Sequence, residues 1–260
     1  MMNSDSKSNG HTFGSELDPL SQVYRESIGD QNPTHFTYLS GGKTALLCID
    51  LQYLDAAPGY GVFRNAESSG ISQESQEYYF TSLEKTVLPN VRRLQDAFRL
   101  YQLEVIHTRI QSLTKDGRDR SNGHKRLNLH AAPGSREADF LEQIEPQGDE
   151  LIINKTASGV FSSTNLHYVL KNVGINALFI VGVYTNECVE TTVRDACDLG
   201  YLVTIVEDCC TTVTEELHQS SLTTLRDRYA RIIDTQEALR EIESYVSVKA
   251  IHPEERLKVH

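Results

Sequence analysis

The chain has 260 residues, of which 39% are hydrophobic and 23% are charged, so we expect a water-soluble protein with one large core or two small cores. The net charge of −11 argues against nucleic acids and anionic membranes as partners, because both need a basic surface, and no apolar run approaches the ~20 residues that span a bilayer. Five cysteines without regular spacing and a polar start without a signal peptide indicate reduced thiols in the cytoplasm.

The chain divides into an arm, one main domain and a tail. Residues 1–42 are rich in Ser, Asn, Gly and Asp, which predicts an arm that is partly disordered or packs on a neighbouring subunit, with a short helix near residues 20–28. The main domain is predicted over residues 43–246. Residues 247–260 read as a polar, peripheral tail. We predict no second domain and no internal repeat.

The first half of the domain combines strands with long loops. Strands are predicted at residues 43–50, 103–108 and 150–154, and helices at residues 83–101 and 135–144. Pro89 falls inside the first helical pattern and is expected to kink or split it. Residues 53–81 and 110–134 read as loops, and loops of that length in a compact domain are usually functional or disordered.

The second half alternates strands and helices more regularly. Strands are predicted at residues 177–183, 202–207 and 230–233, and helices at residues 163–173, 187–199, 214–228 and 235–246. Strands that alternate with helices imply a parallel sheet covered by helices on both faces. In such sheets, ligands bind at the carboxyl ends of the strands.

The most informative segment is the junction after the strand at residues 177–183. Apolar positions recur at helical spacing from Glu187 onward, which places Cys188 in the first helical turn. Free backbone N–H groups and the helix dipole favour a thiolate there and can hold an oxyanion. Cys188 is therefore a candidate nucleophile, and the alternative is a small buried hydrophobic residue. Glu187 would oppose a thiolate if its side chain pointed the same way.

Asp50, Lys155 and Cys188 follow three different strand ends, so the predicted topology brings them to one edge of the sheet. Asp50 can accept the thiol proton and pass it to a leaving amine, and Lys155 can stabilise both anions by its charge. The N–H groups near Tyr184 and Cys188 can hold the developing oxyanion. Together these groups predict hydrolysis of an amide-type C–N bond through an acyl-enzyme. Individually, Asp50 is also typical of a turn cap and Lys155 of a surface cation.

Four segments share their order and spacing with a known family: LLCIDLQ at 46–52, KTASGVFSSTNL at 155–166, GVYTNECVETTVRDA at 182–196 and GYLVTIVED at 200–208. Over roughly residues 43–240 the chain resembles the isochorismatase-like cysteine hydrolases. The resemblance implies a three-layer, Rossmann-like α/β fold with a six-stranded parallel sheet of order 3-2-1-4-5-6 flanked by helices.

The resemblance also implies how the site is built. It places an Asp–Lys–Cys triad on Asp50, Lys155 and Cys188, and a cis peptide at Val183–Tyr184 that aims N–H groups into an oxyanion hole. Homo-oligomers are common in the family, so a dimer or tetramer is expected.

The sequence around Cys188 is most similar to ureidoacrylate, biuret and N-carbamoyl amidohydrolases, which implies a small amide or ureido substrate. Two alternatives remain open: an isochorismate-type vinyl ether hydrolase, whose members include enzymes without the cysteine, and a non-catalytic binding protein on the same fold. Nicotinamidases of the family bind a metal through an Asp-x-His pair. Here Asp55 is followed by two alanines, so we expect no metal and no other cofactor.

Candidate substrate contacts lie next to the strand ends. Arg109 is the best placed cation to bind a substrate carboxylate, and the loop cations Arg118, Arg120, Lys125 and Arg126 are alternatives. Gln52 and Tyr53 follow Asp50 and are expected to line the pocket. Phe161 and Tyr184 are expected to form its apolar wall, unless they belong to the core.

Overall fold

The computed structural model describes residues 43–65 and 69–251, with side chains described as far as residue 245. The predicted arm at residues 1–42, with its expected helix, and the tail beyond residue 251 lie outside the described residues. No helix within the described residues is long and apolar enough to span a membrane.

Six parallel strands form one sheet in the order β3-β2-β1-β4-β5-β6, which confirms the predicted topology. The strands are β1 (Thr44–Ile49), β2 (Glu104–Ile110), β3 (Leu151–Lys155), β4 (Ala177–Val183), β5 (Leu202–Thr211) and β6 (Arg231–Ile233). Every residue of β1 and β4 is buried. This is the pattern expected for central parallel strands that are covered on both faces.

Nine α-helices accompany the sheet within the described residues. They are α1 (Tyr53–Ala56), α2 (Gln73–Ser82), α3 (Leu88–Leu100), α4 (Asn122–Arg126), α5 (Val160–Ser163), α6 (Leu166–Asn172), α7 (Glu190–Asp198), α8 (Glu215–Leu225) and α9 (Thr235–Ile251). Two π-helical turns, Leu83–Val87 and Thr185–Val189, lead directly into α3 and α7.

The hydrophobic core has two large parts, one on each face of the sheet, and a small third cluster that includes Leu54, Ile110 and Leu129. Alternate residues of β1 point to opposite faces, so Leu46 joins one part and Leu47 joins the other. Helices α2, α3 and α9 cover the first face, and α5 to α8 cover the second. The three-layer architecture therefore agrees with the prediction.

Several predicted elements differ from the structure. The predicted loop at residues 53–81 is wrong in its second part, because α2 begins at Gln73 after Ser72 caps it by accepting from the N–H of Ser75. Pro89 lies near the start of α3, directly after the π-helical turn Leu83–Val87, and this turn is the irregularity in the helical pattern. The final helix continues past residue 246 to Ile251.

Other corrections concern short elements. The predicted helix at residues 135–144 is instead two short 3-10 turns, Arg136–Ala138 and Glu142–Ile144. The predicted helix at 163–173 is divided into α5 and α6. Strand β5 extends four residues beyond the predicted end at residue 207, to Thr211.

Gly182 of β4 is paired with Ile49 of β1. A Cβ atom at Gly182 would lie 2.1 Å from the carbonyl oxygen of Ile49, and its φ of +122° is one that L-residues rarely adopt. The next residue after Ile49 is Asp50, whose φ of 53° turns the chain out of the strand. Glycine at position 182 thus permits the close strand packing next to Asp50.

Replacing Gly182 by alanine is expected to lower the free energy of unfolding by more than about 3 kcal/mol, beyond the effect of most single substitutions. The matched control is Gly174→Ala, where φ is also positive at +79° but an added Cβ meets nothing within 4 Å. Backbone strain alone should cost the control about 1–2 kcal/mol. Urea denaturation measures both, and equal losses would show that close strand approach does not explain the glycine.

Candidate active site

Asp50, Lys155 and Cys188 meet at the carboxyl edge of the sheet, as the topology predicts. Asp50 follows β1, Lys155 is the last residue of β3, and Cys188 lies in the π-helical turn Thr185–Val189 after β4. The side chains of Asp50 and Lys155 are fully buried, and Cys188 is 4% exposed. The three residues form a compact cluster shielded from solvent.

Lys155 is the centre of this cluster. Its Nζ lies 2.8 Å from Oδ2 of Asp50 and 3.3 Å from Sγ of Cys188. It also donates to the carbonyl oxygens of Ala157 at 2.9 Å and Ser158 at 3.0 Å. Burial opposes the charged form, but Asp50 and Cys188 outweigh it and raise the pKa of Lys155 above its usual value. Lys155 therefore stays protonated between the two other side chains.

Thr108 of β2 holds the Asp50 carboxylate from the other side. Its hydroxyl donates to Oδ1 of Asp50 at 3.0 Å, and its carbonyl oxygen accepts from the N–H of Asp50 at 3.2 Å. One carboxylate oxygen thus faces Thr108 and the other faces Lys155. The sequence analysis did not identify Thr108, although its position at the end of the neighbouring strand was a signal for it.

Burial and the neighbouring charges shift the pKa of the Cys188 thiol in opposite directions. Burial raises its pKa well above the usual value, Lys155 lowers it, and the charges of Asp50 and Asp55 and a hydrogen bond to Asp50 raise it again. Desolvation and the two carboxyl groups thus oppose the thiolate that the start of the helix favours, whereas Lys155 supports it.

The turn that carries Cys188 begins with a cis peptide at Val183–Tyr184, as the family resemblance implied. The carbonyl oxygen of Tyr184 accepts from the N–H groups of Glu187 at 3.1 Å and Val189 at 3.2 Å, which closes the turn. The first N–H groups of a helical segment have no carbonyl partner one turn earlier. The N–H of Cys188 belongs to this first turn and is a candidate oxyanion donor.

A cavity of about 310 Å³ opens beside Cys188. We call it the Cys188 cavity. Its polar lining includes Asp55, His124 and Glu187, and Tyr184 also faces it. Its apolar lining includes Val62, Ile71, Ile110, Leu127, Leu129 and Leu217. Both regions that were predicted as long loops contribute to these walls, so they have a structural role at the site.

Asp55 is held in the wall by two tyrosines that bind its backbone. The hydroxyls of Tyr79 and Tyr184 donate to the carbonyl oxygen of Asp55, at 2.8 Å and 2.9 Å. The two rings also pack together, with centroids 5.2 Å apart. The two tyrosines therefore fix the backbone of Asp55 without using its carboxyl group.

Gln52 and Tyr53 do not line the Cys188 cavity. The Gln52 side chain is fully buried, accepts from the N–H of Ile110 at 2.5 Å and donates to the carbonyl oxygen of Ile110 at 2.9 Å. Tyr53 lies under the guanidinium of Arg136, which is 3.7 Å from the ring centroid. Both side chains hold the segment after β1 in place through these contacts, and they are therefore not available to contact a ligand in the cavity.

Arg109 and Phe161 also lie away from the cavity. Arg109 donates to Oδ1 of Asn154 at 2.7 Å and to the carbonyl oxygen of Ala138 at 3.0 Å. These hydrogen bonds hold its side chain against β3 and a neighbouring loop. Phe161 stacks on Tyr201 with centroids 5.8 Å apart. The cations that were alternatives to Arg109 do not line the cavity either: Arg118, Arg120, Lys125 and Arg126.

His124 lies within residues 110–134, which were predicted as a loop. It is 4% exposed on α4 and lines the Cys188 cavity. Burial and, to a smaller degree, the charge of Lys155 lower its pKa to about 4. Within residues 43–65 and 69–251, no group of three His, Cys, Asp or Glu side chains is arranged to hold a metal ion.

Comparison with known proteins adds independent information. Residues 44–237 match a family model described as the isochorismatase domain. The chain is 28% identical to nicotinamidase 3 of Arabidopsis thaliana, over 68% of this chain and 90% of that protein. It is 25% identical to ureidoacrylate amidohydrolase RutB of Acinetobacter baylyi, over 76% of this chain and 83% of that protein.

The fold has solved counterparts as well. The crystal structure of a cysteine hydrolase from Pseudomonas syringae superimposes with a TM-score of 0.65 at 22% identity, covering 78% of this chain and 94% of that chain. At this level of identity, the likeness establishes a shared fold.

Replacing Lys155 by methionine should slow the alkylation of Cys188 by iodoacetamide at about pH 8 by about tenfold or more, the effect of one pKa unit. The physical reason is that Lys155 is the charge that lowers the pKa of this thiol. Mass spectrometry of the labelled peptides measures the rate. Cys197 is partly exposed and is the internal reference, and the buried thiol of Cys48 reports whether the core stays closed. An unchanged Cys188 rate with Cys48 still protected would contradict this role of Lys155.

Proposed function

The chain belongs to the isochorismatase family of hydrolases, and from this we propose that it is a cysteine-dependent amidohydrolase. It cleaves a C–N bond of a small amide or ureido compound through a thioester. The observation that carries the proposal is the position of Lys155 Nζ, 2.8 Å from the Asp50 carboxylate and 3.3 Å from the Cys188 sulfur, beside a cavity of about 310 Å³. The names of two relatives, a nicotinamidase and an amidohydrolase, support the reaction class.

Acylation begins when the substrate carbonyl reaches Sγ of Cys188. The sulfur forms a bond to the carbonyl carbon as its proton passes to Asp50, and the carbonyl electrons move onto oxygen. The N–H groups of Tyr184 and Cys188 stabilise this oxyanion. The C–N bond then breaks, and protonated Asp50 gives its proton to the leaving nitrogen. The products of this half are a thioester and ammonia or an amine.

Deacylation repeats the same proton transfers with water. Water attacks the thioester carbonyl as Asp50 takes its proton, and the C–S bond breaks. The proton on Asp50 returns to the sulfur, and the acid leaves the site. Lys155 keeps its proton throughout and lies beside whichever partner carries the negative charge.

Proton transfer from the Cys188 thiol to Asp50 creates no additional charge. Asp50 and Lys155 form a neutral pair, so a proton transfer from sulfur to Asp50 only moves one negative charge from oxygen to sulfur. Both ends of that transfer lie next to Lys155. Since the number of charges in the buried cluster does not change, the step avoids the large cost of creating a new buried charge.

Cys188→Ala and Asp50→Asn should each reduce ammonia release from a panel of small amides and ureido compounds by about a thousandfold or more, because each removes a group that acts in both half-reactions. Wild-type protein quenched during turnover should carry the acyl group on Cys188, detected by mass spectrometry. Cys197→Ala is the control and should retain full activity, because Cys197 lies outside the Cys188 cavity.

The rival functions give different results in the same experiment. A vinyl ether hydrolase that uses Asp50 as its acid would remain active on isochorismate as Cys188→Ala but not as Asp50→Asn. A binding protein would show no turnover of any compound and no acylated Cys188. Either result would replace the amidohydrolase proposal.

A further inference from the structure

The Cys188 cavity contains ionisable groups that the proposed mechanism does not use. Asp55, His124 and Glu187 line it, and among the described residues no lysine or arginine does. Lys155 lies behind Cys188 and is already shared between Asp50 and the sulfur. The cavity therefore offers carboxyl and imidazole groups to a ligand, but no unpaired cation.

Burial shifts each of these groups toward its uncharged form. Desolvation, followed by the charge of Asp50, raises the pKa of Asp55 well above its usual value. Desolvation also raises the pKa of Glu187, although Lys155 opposes the shift. The pKa of His124 falls to about 4, mainly by desolvation. The walls of the cavity thus favour neutral hydrogen-bonding groups.

Two atoms in these walls lack a partner. Oδ2 of Asp55 and Nδ1 of His124 are buried and have no hydrogen-bond partner within the described residues. The two residues are 3% and 4% exposed. An unpaired buried polar atom costs about 1–3 kcal/mol, so such atoms usually have a partner in the functional state. Because both residues line the same cavity, one ligand there can contact both side chains.

The local structure leaves these side chains free for that purpose. Tyr79 and Tyr184 hold Asp55 through its backbone carbonyl oxygen. The hydroxyl of Ser121 holds His124 through its backbone N–H at 3.2 Å. Neither anchor uses the carboxyl group or the imidazole, so both positions are fixed before a ligand arrives.

We propose that the Cys188 cavity selects an uncharged substrate, a small carboxamide or ureide without a carboxylate, and that Asp55 and His124 determine this specificity by hydrogen bonding to it. The inference rests on the proposed function and narrows its substrate class. A neutral carboxyl group and a neutral imidazole each offer one donor and one acceptor. A ureido group presents C=O and N–H groups side by side, which matches such a pair.

A substrate with a carboxylate would fit poorly. Its charge would be desolvated beside Asp55 and Glu187, with no free cation in the lining to pair with it. A volume of about 310 Å³ is at the small end of ligand pockets. Size and charge therefore both favour a compact neutral molecule.

The test compares N-carbamoylglycine with its N-methylamide, which differ in one negative charge and share the ureido group. For wild-type protein, kcat/KM for ammonia release should be at least about thirtyfold higher for the neutral N-methylamide. Titration calorimetry with Cys188→Ala measures the Kd of each compound without turnover, and the N-methylamide should bind more tightly. Equal or tighter binding of N-carbamoylglycine, or no binding of either compound, overturns the inference.

A failure of the proposed function would appear in a different measurement. If Cys188→Ala still releases ammonia, the nucleophile is wrong, while the binding preference remains a separate result. The two proposals are thus decided by two different measurements.

Variants of Asp55 test its role directly. Asp55→Asn keeps a neutral donor and acceptor, so its KM for the N-methylamide should stay within about threefold of wild type. Asp55→Leu removes both and should raise KM by about tenfold or more, with a smaller change in kcat. Asp116→Asn, an exposed carboxyl group outside the cavity, is the control. If Asp55→Leu changes KM no more than this control, Asp55 does not contact the substrate.

Introducing a cation into the cavity wall tests the role of charge in the opposite direction. Leu217 lines the cavity and is 40% exposed, so an arginine there needs no burial. Leu217→Arg should reduce the preference for the neutral compound by about fivefold or more, because it supplies the missing partner for a carboxylate. Leu199→Arg, at a leucine that is 39% exposed elsewhere, should leave the preference unchanged. An unchanged preference in Leu217→Arg contradicts charge as the basis of selection.

Discussion

The buried ion pair between Lys155 and Asp50 is the constraint on which the site depends. Both side chains are fully buried, and two unpaired charges in that position would cost several kcal/mol each. The structure compensates with a 2.8 Å contact, two carbonyl oxygens on Lys155 and the Thr108 hydroxyl on Asp50. Loss of one partner would leave the other charged and buried, which in such pairs typically costs about 3–5 kcal/mol.

This ion pair also places a constraint on the strand order and register of the sheet. Strand β2 lies between β1 and β3, so Lys155 must reach across the end of β2 to meet Asp50. Two strand spacings are about 10 Å, which a lysine and an aspartate together can span only if their strands end at the same level. The close packing at Gly182 then brings β4, and the turn with Cys188, next to the same point. The register of the strands therefore determines the distances between the three side chains of the site.

The sequence predicted the parts of the structure that follow from regular patterns. Apart from Thr44, strands β1 and β4 contain no polar side chain, which predicted their place at the centre of a parallel sheet, and the strand ends then placed Asp50, Lys155 and Cys188 together. Helix α2 was missed because Tyr79 is its one buried residue, which leaves no helical period of apolar residues. Arg109 was assigned to the substrate by its position at a strand end, but position along a strand does not give the direction of a long side chain.

Asp55 and His124 were missed for a related reason. Each lies in a very short helix within a long connection, and burial there depends on tertiary contacts that leave no periodic signal. The contacts that bury Asp55 come from α2 and from the turn after β4, which are distant in the sequence. The sequence could give the residue types of the connections, but not which of them face the cavity.

The tyrosine pair links the cavity wall to the nucleophile turn. Tyr79 of α2 and Tyr184, which begins the Cys188 turn, both donate to the same carbonyl oxygen of Asp55. Tyr79 also stacks on Phe63, with centroids 5.1 Å apart, so the wall formed by the segment after β1 is packed against this anchor. The charged cluster under Cys188 makes none of its contacts through these tyrosines. The anchor of Asp55 and the Asp50–Lys155–Cys188 cluster are therefore held by separate hydrogen bonds.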